Sequence, residues 1–446
     1  MKPKARSAET GQLFQQDLEH LLDQRNALYR LANRLPWLEL ESSLERHYSE
    51  LGRPALPIRL LAGLLLLKQL ENLSDERVCA AWEQNPYMQY FCGERYFQWK
   101  LPCEPSELVH FRKRIGQVGV DQILKMTLSL HADKIKEEND VVADTTVQEA
   151  DVQFPTDTRL HVSCIKKLWR MGESESVRWR RRYTRTVPAL LARLRTRSNR
   201  LVKDRKRCRR KVKTIVGRLQ RDFERVVGAE TLKLYQSELA VISRILNQKR
   251  SDKNKVYSLH DPNVLCIAKG KAHKKYEFGR KASIAMLRDS GVIVSAVSFE
   301  DNIYDGDTLE PTLAQGAELC GKTFDNAYVD RGYRGRRCVG ETRVIIPGKA
   351  DRRQSYYNQR KQRKRNGRRA AIEPVIGHLK SDHRLARCFL KGAAGAGLNL
   401  SLSAAAWNLK KWINETFFAV LWHLCSKQYA RQVYGDVFNR NPRIAF

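Results

Sequence analysis

The segment NAYVDRGYRG, residues 326–335, limits the possible folds more than any other part of this chain. An apolar run that favours a strand ends at Asp330, and Gly332 and Gly335 then break regular structure. A buried strand should therefore carry the Asp330 carboxylate to a loop where a ligand can reach it. Taken alone, the pattern is equally typical of an aspartate that caps a turn by accepting hydrogen bonds from backbone N–H groups.

A second aspartate upstream follows the same pattern. In DVVADTTVQEADVQF, residues 140–154, a β-branched run leads to Asp144 and continues with strand-like alternation. This segment predicts a second strand that presents a carboxylate. The following FPTDTRLH, residues 154–161, is predicted to be a loop.

A third carboxylate lies on a predicted helix in RRAAIEPVIGHLKSDH, residues 368–383. At 100° per residue, Arg369, Glu373 and Lys380 share one face of that helix. Pro374 indicates that the helix begins nearby, with Glu373 in its first turn. A carboxylate between two cations can bind a metal ion while the cations hold phosphates. The alternative is a surface ion-pair ladder, which contributes roughly a few tenths of a kcal/mol.

Histidine offers no better metal site in this region. His378 and His383 are five residues apart, which is outside the i,i+4 spacing of a helical ligand pair. They are more typical of packing or of phosphate contact. Three carboxylates delivered by separate elements remain the candidate chemistry.

The charge balance indicates a polyanionic partner. Among 446 residues, 82 are Lys or Arg and 49 are Asp or Glu, which gives a formal net charge of +33. Such an excess repels itself unless a polyanion or counterions neutralise it, and nucleic acid is the natural partner. No apolar run approaches the roughly 18 residues of a membrane-spanning helix. The longest, residues 60–70, contains Lys68 and is predicted to be a core helix.

The N-terminus and the cysteines both favour a cytoplasmic protein. The opening MKPKARSAETGQLF has no apolar stretch behind its positive charges, unlike a secretion signal. The ten cysteines contain no C-x-x-C pair, which argues against a zinc ribbon and against a disulfide framework. We expect reduced, mostly buried thiols.

Residues 1–130 are predicted to form a helical region that is independent of the remainder of the chain. Apolar residues recur at helical spacing from Ile58 to Leu67, Ser74 is placed as an N-cap, and a third helix should run from Pro105 to Ile115. The third helix carries Arg112, Lys113 and Arg114. Such a bundle suits DNA binding, and it suits dimerisation nearly as well.

The most basic part of the chain, residues 164–255, is predicted to be a helical insertion. Apolar residues at spacings of three, four and seven over 190–226 predict one long amphipathic helix, and a second stripe over 232–246 completes a helical hairpin after Gly228. The polar face of the long helix includes Arg205, Arg207, Arg209 and Arg210. Because acids are too few to pair these cations, we expect contact with DNA phosphates rather than a merely solvated face.

The remaining elements complete a mixed α+β or α/β sheet. Two β-rich runs, 274–287 and 291–302, predict an antiparallel hairpin, residues 308–319 a helix, and residues 344–346 a strand closed by Pro347. Residues 351–369 are predicted to be a basic loop whose tyrosines could stack on unpaired bases. This is the layout of an RNase H-like sheet with flanking helices, an α-helical N-terminal domain and a basic helical insertion.

This layout divides the chain into four regions. The helical N-terminal domain covers residues 1–130 and should bind DNA or dimerise. The catalytic domain is split over 138–163 and 256–415, on either side of the insertion at 164–255. Residues 416–446 form a helical tail.

Asp144, Asp330 and Glu373 resemble the three acidic residues of the DDE-type bacterial insertion-sequence transposases. The resemblance is closest to the group with a Tyr-x2-Arg-x3-Glu-x6-Lys signature. Arg369, Glu373 and Lys380 fit that signature, whereas Asn366 occupies the position of its tyrosine. In better known members of that group a large insertion precedes the glutamate helix, whereas here it follows the first strand.

The resemblance implies a transposase that binds terminal inverted repeats and catalyses metal-dependent DNA cleavage and strand transfer. Three carboxylates supply the hard oxygen ligands that two Mg²⁺ ions prefer, with Mn²⁺ able to substitute. Arg331, Arg334, Arg369 and Lys380 are the expected DNA contacts near these acids. The expected partners are double-stranded DNA and further copies of the chain, in a homodimer or higher oligomer near the bacterial nucleoid. The alternatives are an RNase H-like nuclease without joining activity and a non-enzymatic DNA-binding protein.

Overall fold

A computed structural model describes most of the chain. The described residues are 2, 16–49, 51, 54–195, 201–249, 251–268, 275–346 and 355–440, without the side chains of 361–366 and 418–440. The predicted end of a strand at Pro347 and the first part of the predicted loop, 351–354, therefore lie outside the described residues. So do residues 441–446 of the predicted tail.

Helices occupy the N-terminal part of the chain, as predicted. They are α1 (Leu18–Leu21), α2 (Ala27–Arg34), α3 (Trp37–Glu45), α4 (Ile58–Leu70), α5 (Asp75–Gln84), α6 (Pro86–Phe91), α7 (Pro105–Leu128) and α8 (Ala132–Glu137). The Ser74 side chain caps α5 by accepting from the Arg77 N–H. The helix predicted from Pro105 begins there, and its predicted end coincides with a kink at Gly116, whose φ of 57° suits glycine.

The N-terminal helices are not independent of the rest of the chain, contrary to our expectation. Helix α4 is buried at every position except Arg59. A helix that is apolar all round must be covered on all sides, and α4 packs on α3, α5 and α7 and also on the C-terminal helix α17 (Gly392–Arg440). One hydrophobic core consequently runs from Leu31 through the sheet to Leu409.

The third predicted helix does not present all of its cations to DNA. Arg112 is only 3% exposed, and its two terminal nitrogens donate to the Asp75 carboxylate at 2.9 and 2.7 Å. Lys68 donates to the same carboxylate. Burial without such pairing would be costly, so Arg112 ties α7 to α5 and is unavailable to phosphate.

A mixed sheet forms the centre of the molecule, as predicted. Its strands are β1 (Asp140–Ala150), β2 (Leu265–Ala268), β3 (Tyr276–Leu287), β4 (Ile293–Phe299), β5 (Asn326–Tyr328), β6 (Cys338–Val339), β7 (Thr342–Ile345) and β8 (Arg387–Cys388). The order is β2-β3-β1-β5-β7-β6, with β4 beside β3 and β8 beside β1. Strand β1 runs antiparallel to β3 and parallel to β5, and β5 runs parallel to β7. This arrangement is the RNase H-like sheet that the sequence predicts.

The insertion is a helical bundle rather than a hairpin. Its helices are α9 (Asp157–Ser174), α10 (Thr186–Arg195), α11 (Val202–Val226), α12 (Ala229–Leu234) and α13 (Gln236–Asn247). Two predictions were wrong here. The expected loop over 154–161 becomes helical at Asp157, because the Thr156 side chain caps α9 by accepting from the Arg159 N–H. The expected long helix consists of α10 and α11, separated by residues that are not described.

Helix α9 covers the apolar face of α11, which a two-helix hairpin would have left partly exposed. Its residues Leu160, Cys164 and Leu168 join Val212 and Phe223 of α11 in a hydrophobic core separate from that of the sheet. The bundle therefore extends across the predicted boundary at residues 163 and 164. The domain limits themselves remain predictions.

The basic segment before Glu373 is helical instead of a loop. Helix α15 (Tyr356–Ala370) begins after Ser355, whose hydroxyl accepts from the Asn358 N–H. Arg, Lys and Gln are good helix formers, so a strongly basic composition does not by itself indicate a loop. Helix α16 (Ile372–Asp382) follows with Glu373 in its first turn, as predicted.

The cysteines and the apolar helices also bear on the predictions made from the sequence. Nine cysteines are described, none forms a disulfide, and six are buried. No helix within the described residues combines the length and the apolar character needed to cross a membrane.

Candidate active site

The sheet places Asp144 and Asp330 side by side. Strands β1 and β5 are parallel, and Val142 is paired with Tyr328. Asp144 follows Val142 by two residues on β1, and Asp330 follows Tyr328 by two residues, in the extended segment just after β5 ends. Matched positions on neighbouring strands are about 4.8 Å apart and present their side chains to the same face. Both aspartates therefore lie at the same end of these two neighbouring strands.

Each of these aspartates also accepts a local backbone hydrogen bond. Asp144 Oδ1 accepts from the Thr145 N–H at 2.7 Å, and Asp330 Oδ1 accepts from the Gly332 N–H at 2.8 Å. Asp330 thereby caps the short 3-10 helix Arg331–Tyr333. In both residues only Oδ1 accepts this backbone hydrogen bond. An aspartate can therefore cap a turn and still present its carboxylate to a ligand.

Arg369 links the third carboxylate to the first. Its Nη2 lies 3.5 Å from Asp144 Oδ2 and 3.7 Å from Glu373 Oε1. The side chains of Asp144 and Arg369 are 17% and 19% exposed, whereas that of Glu373 is 63% exposed. The guanidinium therefore occupies the space between a half-buried carboxylate on the sheet and an accessible one at the start of α16.

A fourth carboxylate, Asp305, lies in the same place and was not predicted from the sequence. Asp305 is the first residue of α14 (Asp305–Cys320). Its Oδ1 accepts from Thr145 Oγ1 at 3.0 Å and from Lys281 Nζ at 2.8 Å. Its Oδ2 lies 3.4 Å from where a β-carbon on Gly332 would be. In the sequence, Asp305 can be recognised only as an acid in the first turn of a helix. Such acids are common because they stabilise helix N-termini, so this position alone does not indicate a functional residue.

A buried tyrosine lies among these acids. Tyr333 is 1% exposed, and its hydroxyl has no hydrogen-bond partner among the described residues. Burial raises the pKa of Tyr333 above its usual range, and the negative charges of Asp144, Asp305 and Asp330 raise it further. The hydroxyl is consequently a neutral donor beside the carboxylate group.

Comparison with known proteins agrees with this architecture. Residues 16–114 match the family described as "Transposase domain", and residues 247–409 match the family described as "Transposase DDE domain". The chain belongs to the DDE-type insertion-sequence transposases. The matched segments contain Asp330 and Glu373, whereas Asp144 enters the site through β1, which pairs with β3 and β5 inside the matched domain.

A curated relative is also similar to the transposase. It is the "Uncharacterized protein ORF8 in nfe locus" of Rhizobium meliloti, which is 36% identical over 199 residues. The aligned region covers 44% of this chain and 96% of that protein. No solved structure matches the chain.

The predicted DNA contacts fall into two sets. Arg331 and Arg334 are exposed and lie within four residues of Asp330. Lys380 lies two turns after Glu373 on the same face of α16. In contrast, Arg205, Arg207, Arg209 and Arg210 all lie on α11, which packs on α9, α10 and α13 within the insertion. The first set therefore lies near Asp330 or Glu373 along the chain, whereas the second set belongs to the insertion bundle.

The two histidines of α16 and its C-terminus do not form a metal site. His378 is exposed, and its Nδ1 lies 2.9 Å from Asp382 Oδ2. His383 is buried, and its Nδ1 lies 3.1 Å from the Gln69 carbonyl oxygen. Burial lowers the pKa of His383. His383 therefore packs between α16 and α4, which is one of the two roles predicted for it.

The donor set suits a hard divalent cation. Transposases of this family use divalent metal ions. Asp144, Asp330 and Glu373 offer only carboxylate oxygens, the ligands that Mg²⁺ prefers. Within the described part of the chain, however, no three His, Cys, Asp or Glu side chains converge closely enough to hold a metal together. The guanidinium of Arg369 lies where Asp144 and Glu373 would have to meet.

Proposed function

We propose that this transposase binds the terminal inverted repeats of its insertion sequence, cleaves DNA strands there, and joins the freed ends to target DNA. Asp144, Asp330 and Glu373 are the proposed catalytic carboxylates. The observations that support this assignment best are the contacts of Arg369 to both Asp144 and Glu373, together with the parallel pairing of β1 and β5, which ends two residues before Asp144 and Asp330.

The proposed cofactor is Mg²⁺, as two ions held by the three carboxylates, with Mn²⁺ as a substitute. When bound, the ions supply activation of the attacking oxygen and charge stabilisation at the phosphate. The carboxylates of Asp144, Asp330 and Glu373 would hold them once Arg369 moves away from Asp144 Oδ2 and Glu373 Oε1. Arg369 neutralises two of these carboxylates in their absence.

Cations around the acids are proposed to position the DNA. Arg331 and Arg334 lie on the turn after Asp330, and Lys380 lies on the same helical face as Glu373, so all three can reach phosphates beside the cleaved bond. Arg369 joins them once it leaves Asp144. The arginines of α11 are proposed to add sequence-independent contacts, since flexible cations bind phosphates without reading bases.

Each insertion sequence has two ends, and we propose that a homodimer or higher oligomer holds both. The N-terminal helices are the proposed region for dimerisation or for a further DNA contact. The proposed location is the bacterial cytoplasm, in association with the nucleoid.

A strand-transfer assay tests the proposed function. Duplexes made from the DNA that borders the gene are incubated with the protein, Mg²⁺ and a supercoiled target plasmid. We expect cleavage at the end of the inverted repeat and covalent joining to the plasmid, and neither product with Asp330→Ala. Cleavage without joined product, even with a pre-cut end that carries a free 3′ hydroxyl, would instead support an RNase H-like nuclease. Binding without either product would support a non-enzymatic DNA-binding protein.

A further inference from the structure

A cleft of about 650 Å³ lies between the insertion bundle and the far end of β1. Helices α9 and α13 form one wall. The other wall consists of residues 151–153 and Pro155 after β1, residues 257–260 and Pro262, and Lys391 just before α17. The proposed chemistry at Asp144 does not use this cleft.

Helix α9 presents a row of polar and basic side chains to the cleft. Arg159, Ser163, Lys166 and Arg170 line it and are all exposed. Their spacings of four, three and four residues place them within about 60° of the helix circumference, along about 16 Å of its axis. The opposite face of α9 is buried in the insertion core. The row is therefore fixed in direction by the packing of the bundle.

The acids of the cleft are already paired with other cations. Asp151 accepts from Arg387 Nη1 at 3.4 Å, and Glu238 lies 3.5 Å from Lys167 Nζ. Lys166, Arg170 and Lys391 make no ion pair with any described residue. The cleft thus carries uncompensated positive charge on both walls, and a polyanion would neutralise it.

The cleft begins just after the end of β1, the strand that carries Asp144. Asp151 lies seven positions after Asp144, which corresponds to up to about 23 Å along an extended strand. Duplex DNA rises about 3.4 Å per base pair, so this span corresponds to about seven base pairs. A duplex that has its cleaved phosphate at Asp144 and runs along β1 would reach the cleft at this distance.

We infer that this cleft binds the sugar-phosphate backbone of end DNA about seven base pairs from the cleaved phosphate. Lys166 and Arg170 contact the backbone from the insertion, and Lys391 contacts it from the catalytic domain. This inference rests on the proposed function. It gives the insertion a defined task, because the bundle and the sheet together hold one DNA strand at a fixed distance from the carboxylates.

The test compares two charge-matched variants on a 40-base-pair duplex made from the DNA that borders the gene. One variant combines Lys166→Gln, Arg170→Gln and Lys391→Gln. The control combines Arg207→Gln, Arg209→Gln and Arg210→Gln, which removes the same charge from exposed positions of α11. Phosphate-ethylation interference locates the contacts, and the salt dependence of the dissociation constant counts them.

We expect the parent protein to show interference at phosphates about six to eight base pairs from the cleaved bond, given the length of β1. The cleft variant should lose that signal, and the slope of log K against log salt should fall by about 0.9 for each phosphate that the protein no longer binds. The α11 control should keep the signal at those phosphates. Because all six side chains are exposed, circular dichroism should show that both variants fold normally.

Three results would overturn the inference. If the parent protein binds and cleaves the duplex, and the cleft variant keeps both the interference signal and the salt slope, the cleft assignment fails while the proposed function stands. Binding of tripolyphosphate is measured beside binding of the duplex. If the cleft variant loses affinity for tripolyphosphate but keeps its affinity for the duplex, the cleft is a site for small anions. If the parent neither binds nor cleaves the duplex, both the inference and the proposed function fail.

The single change Lys391→Gln lies outside the insertion. It should lower the slope of log K against log salt by about 0.9.

Discussion

The Arg369 guanidinium lies 3.5 Å from the Asp144 carboxylate, on the side of Asp144 that faces Glu373. A cation already neutralises these two acids in the free protein. A divalent metal ion that uses both acids must displace that cation, so binding of the metal and the position of Arg369 should be coupled.

This coupling predicts that Arg369→Ala binds Mn²⁺ more tightly than the parent protein when DNA is absent. The gain should reach about tenfold in Kd, which corresponds to about 1.4 kcal/mol. Cleavage should nevertheless fall, by about 100-fold, because a preorganised cation near the reacting phosphate is lost. Titration followed by electron paramagnetic resonance measures free Mn²⁺. Arg368→Ala is the matched control, since Arg368 is the neighbouring exposed arginine and pairs with Asp289 instead. Equal Mn²⁺ affinity in both variants would argue against the coupling.

Replacing any of the three proposed catalytic acids should separate binding from chemistry. Asp144→Ala, Asp330→Ala and Glu373→Ala should each abolish strand cleavage and leave end binding largely intact, because the lost group serves the metal and not the DNA. Cleavage of labelled end duplex in Mg²⁺ is the measurement, with exposed Asp301→Ala as the control. A variant that retains more than a few per cent of parental cleavage removes its residue from the site. Ca²⁺ should support binding and suppress cleavage, since its coordination is larger and looser.

The positions of the three acids follow from local sequence patterns. An apolar run that ends in an aspartate and a glycine-rich turn predicts a strand end, and both Asp144 and Asp330 are found on strands or just after them. Pro374 likewise fixes the start of α16, because proline fits the first turn of a helix and disrupts later ones. These signals span a few residues each, so they can be recognised without knowing the tertiary contacts.

Tertiary contacts account for the features that the sequence could not predict. Arg112 has the same local surroundings as its exposed neighbour Lys113, and only the distant Asp75 makes it a buried structural cation. Asp305 is likewise an ordinary first-turn acid until Thr145 and Lys281 are placed beside it by two other elements. Contacts between residues this far apart in the sequence cannot be recognised from the local spacing of residues.

The ion pair of Asp305 with Lys281 should respond unequally to the loss of its two partners. Lys281 is buried and also donates to the Ile303 carbonyl oxygen, whereas about a third of the Asp305 side chain is exposed. Asp305→Asn leaves a buried ammonium without its counterion, so it should lower the free energy of unfolding by about 2 kcal/mol. Lys281→Met should cost less, because the remaining carboxylate can reach water and can still accept from Thr145.

A double-mutant cycle in urea unfolding measures this asymmetry. The double variant Asp305→Asn/Lys281→Met should be more stable than Asp305→Asn alone, because the unpaired charge is gone. Cleavage should fall in every variant that lacks Asp305, since Thr145 beside Asp144 then loses its charged acceptor. If the effects of the two single changes simply add in the double variant, the pair contributes no specific coupling energy.

Stability should fall in mildly acidic solution because of buried histidines. Burial lowers the pKa of His383 below the value of an unfolded histidine. The unfolded chain therefore binds more protons than the folded chain, so stability is complete above the unfolded pKa of about 6.5 and is lost as pH falls through the lower folded value. Urea unfolding between pH 8 and pH 5 should show a smaller decline for His383→Asn than for the parent. An identical decline in His383→Asn and in the parent would assign the effect to other groups.

The arginines of α11 should act on all DNA alike. The buried face of α11 fills the insertion core, so Arg207, Arg209 and Arg210 remain exposed on its other sides, while Arg205 is half-buried. These cations have no fixed donor pattern for base edges and should contribute salt-dependent, sequence-independent affinity. Changing all four to glutamine should weaken binding to end duplexes and to random duplexes equally, and the salt slope should fall by about 0.9 for each phosphate that is no longer bound.

Two other outcomes of that experiment would give α11 a different role. If end DNA loses far more affinity than random DNA, the insertion reads the terminal repeat through these arginines. If neither duplex is affected, the arginines face solvent or pair with acids of a second subunit. Sedimentation of the fourfold variant separates these last two cases, because only a loss of subunit pairing would reduce the molecular mass in solution. In that case the insertion serves assembly of the transposase and leaves DNA contact to the cleft along α9.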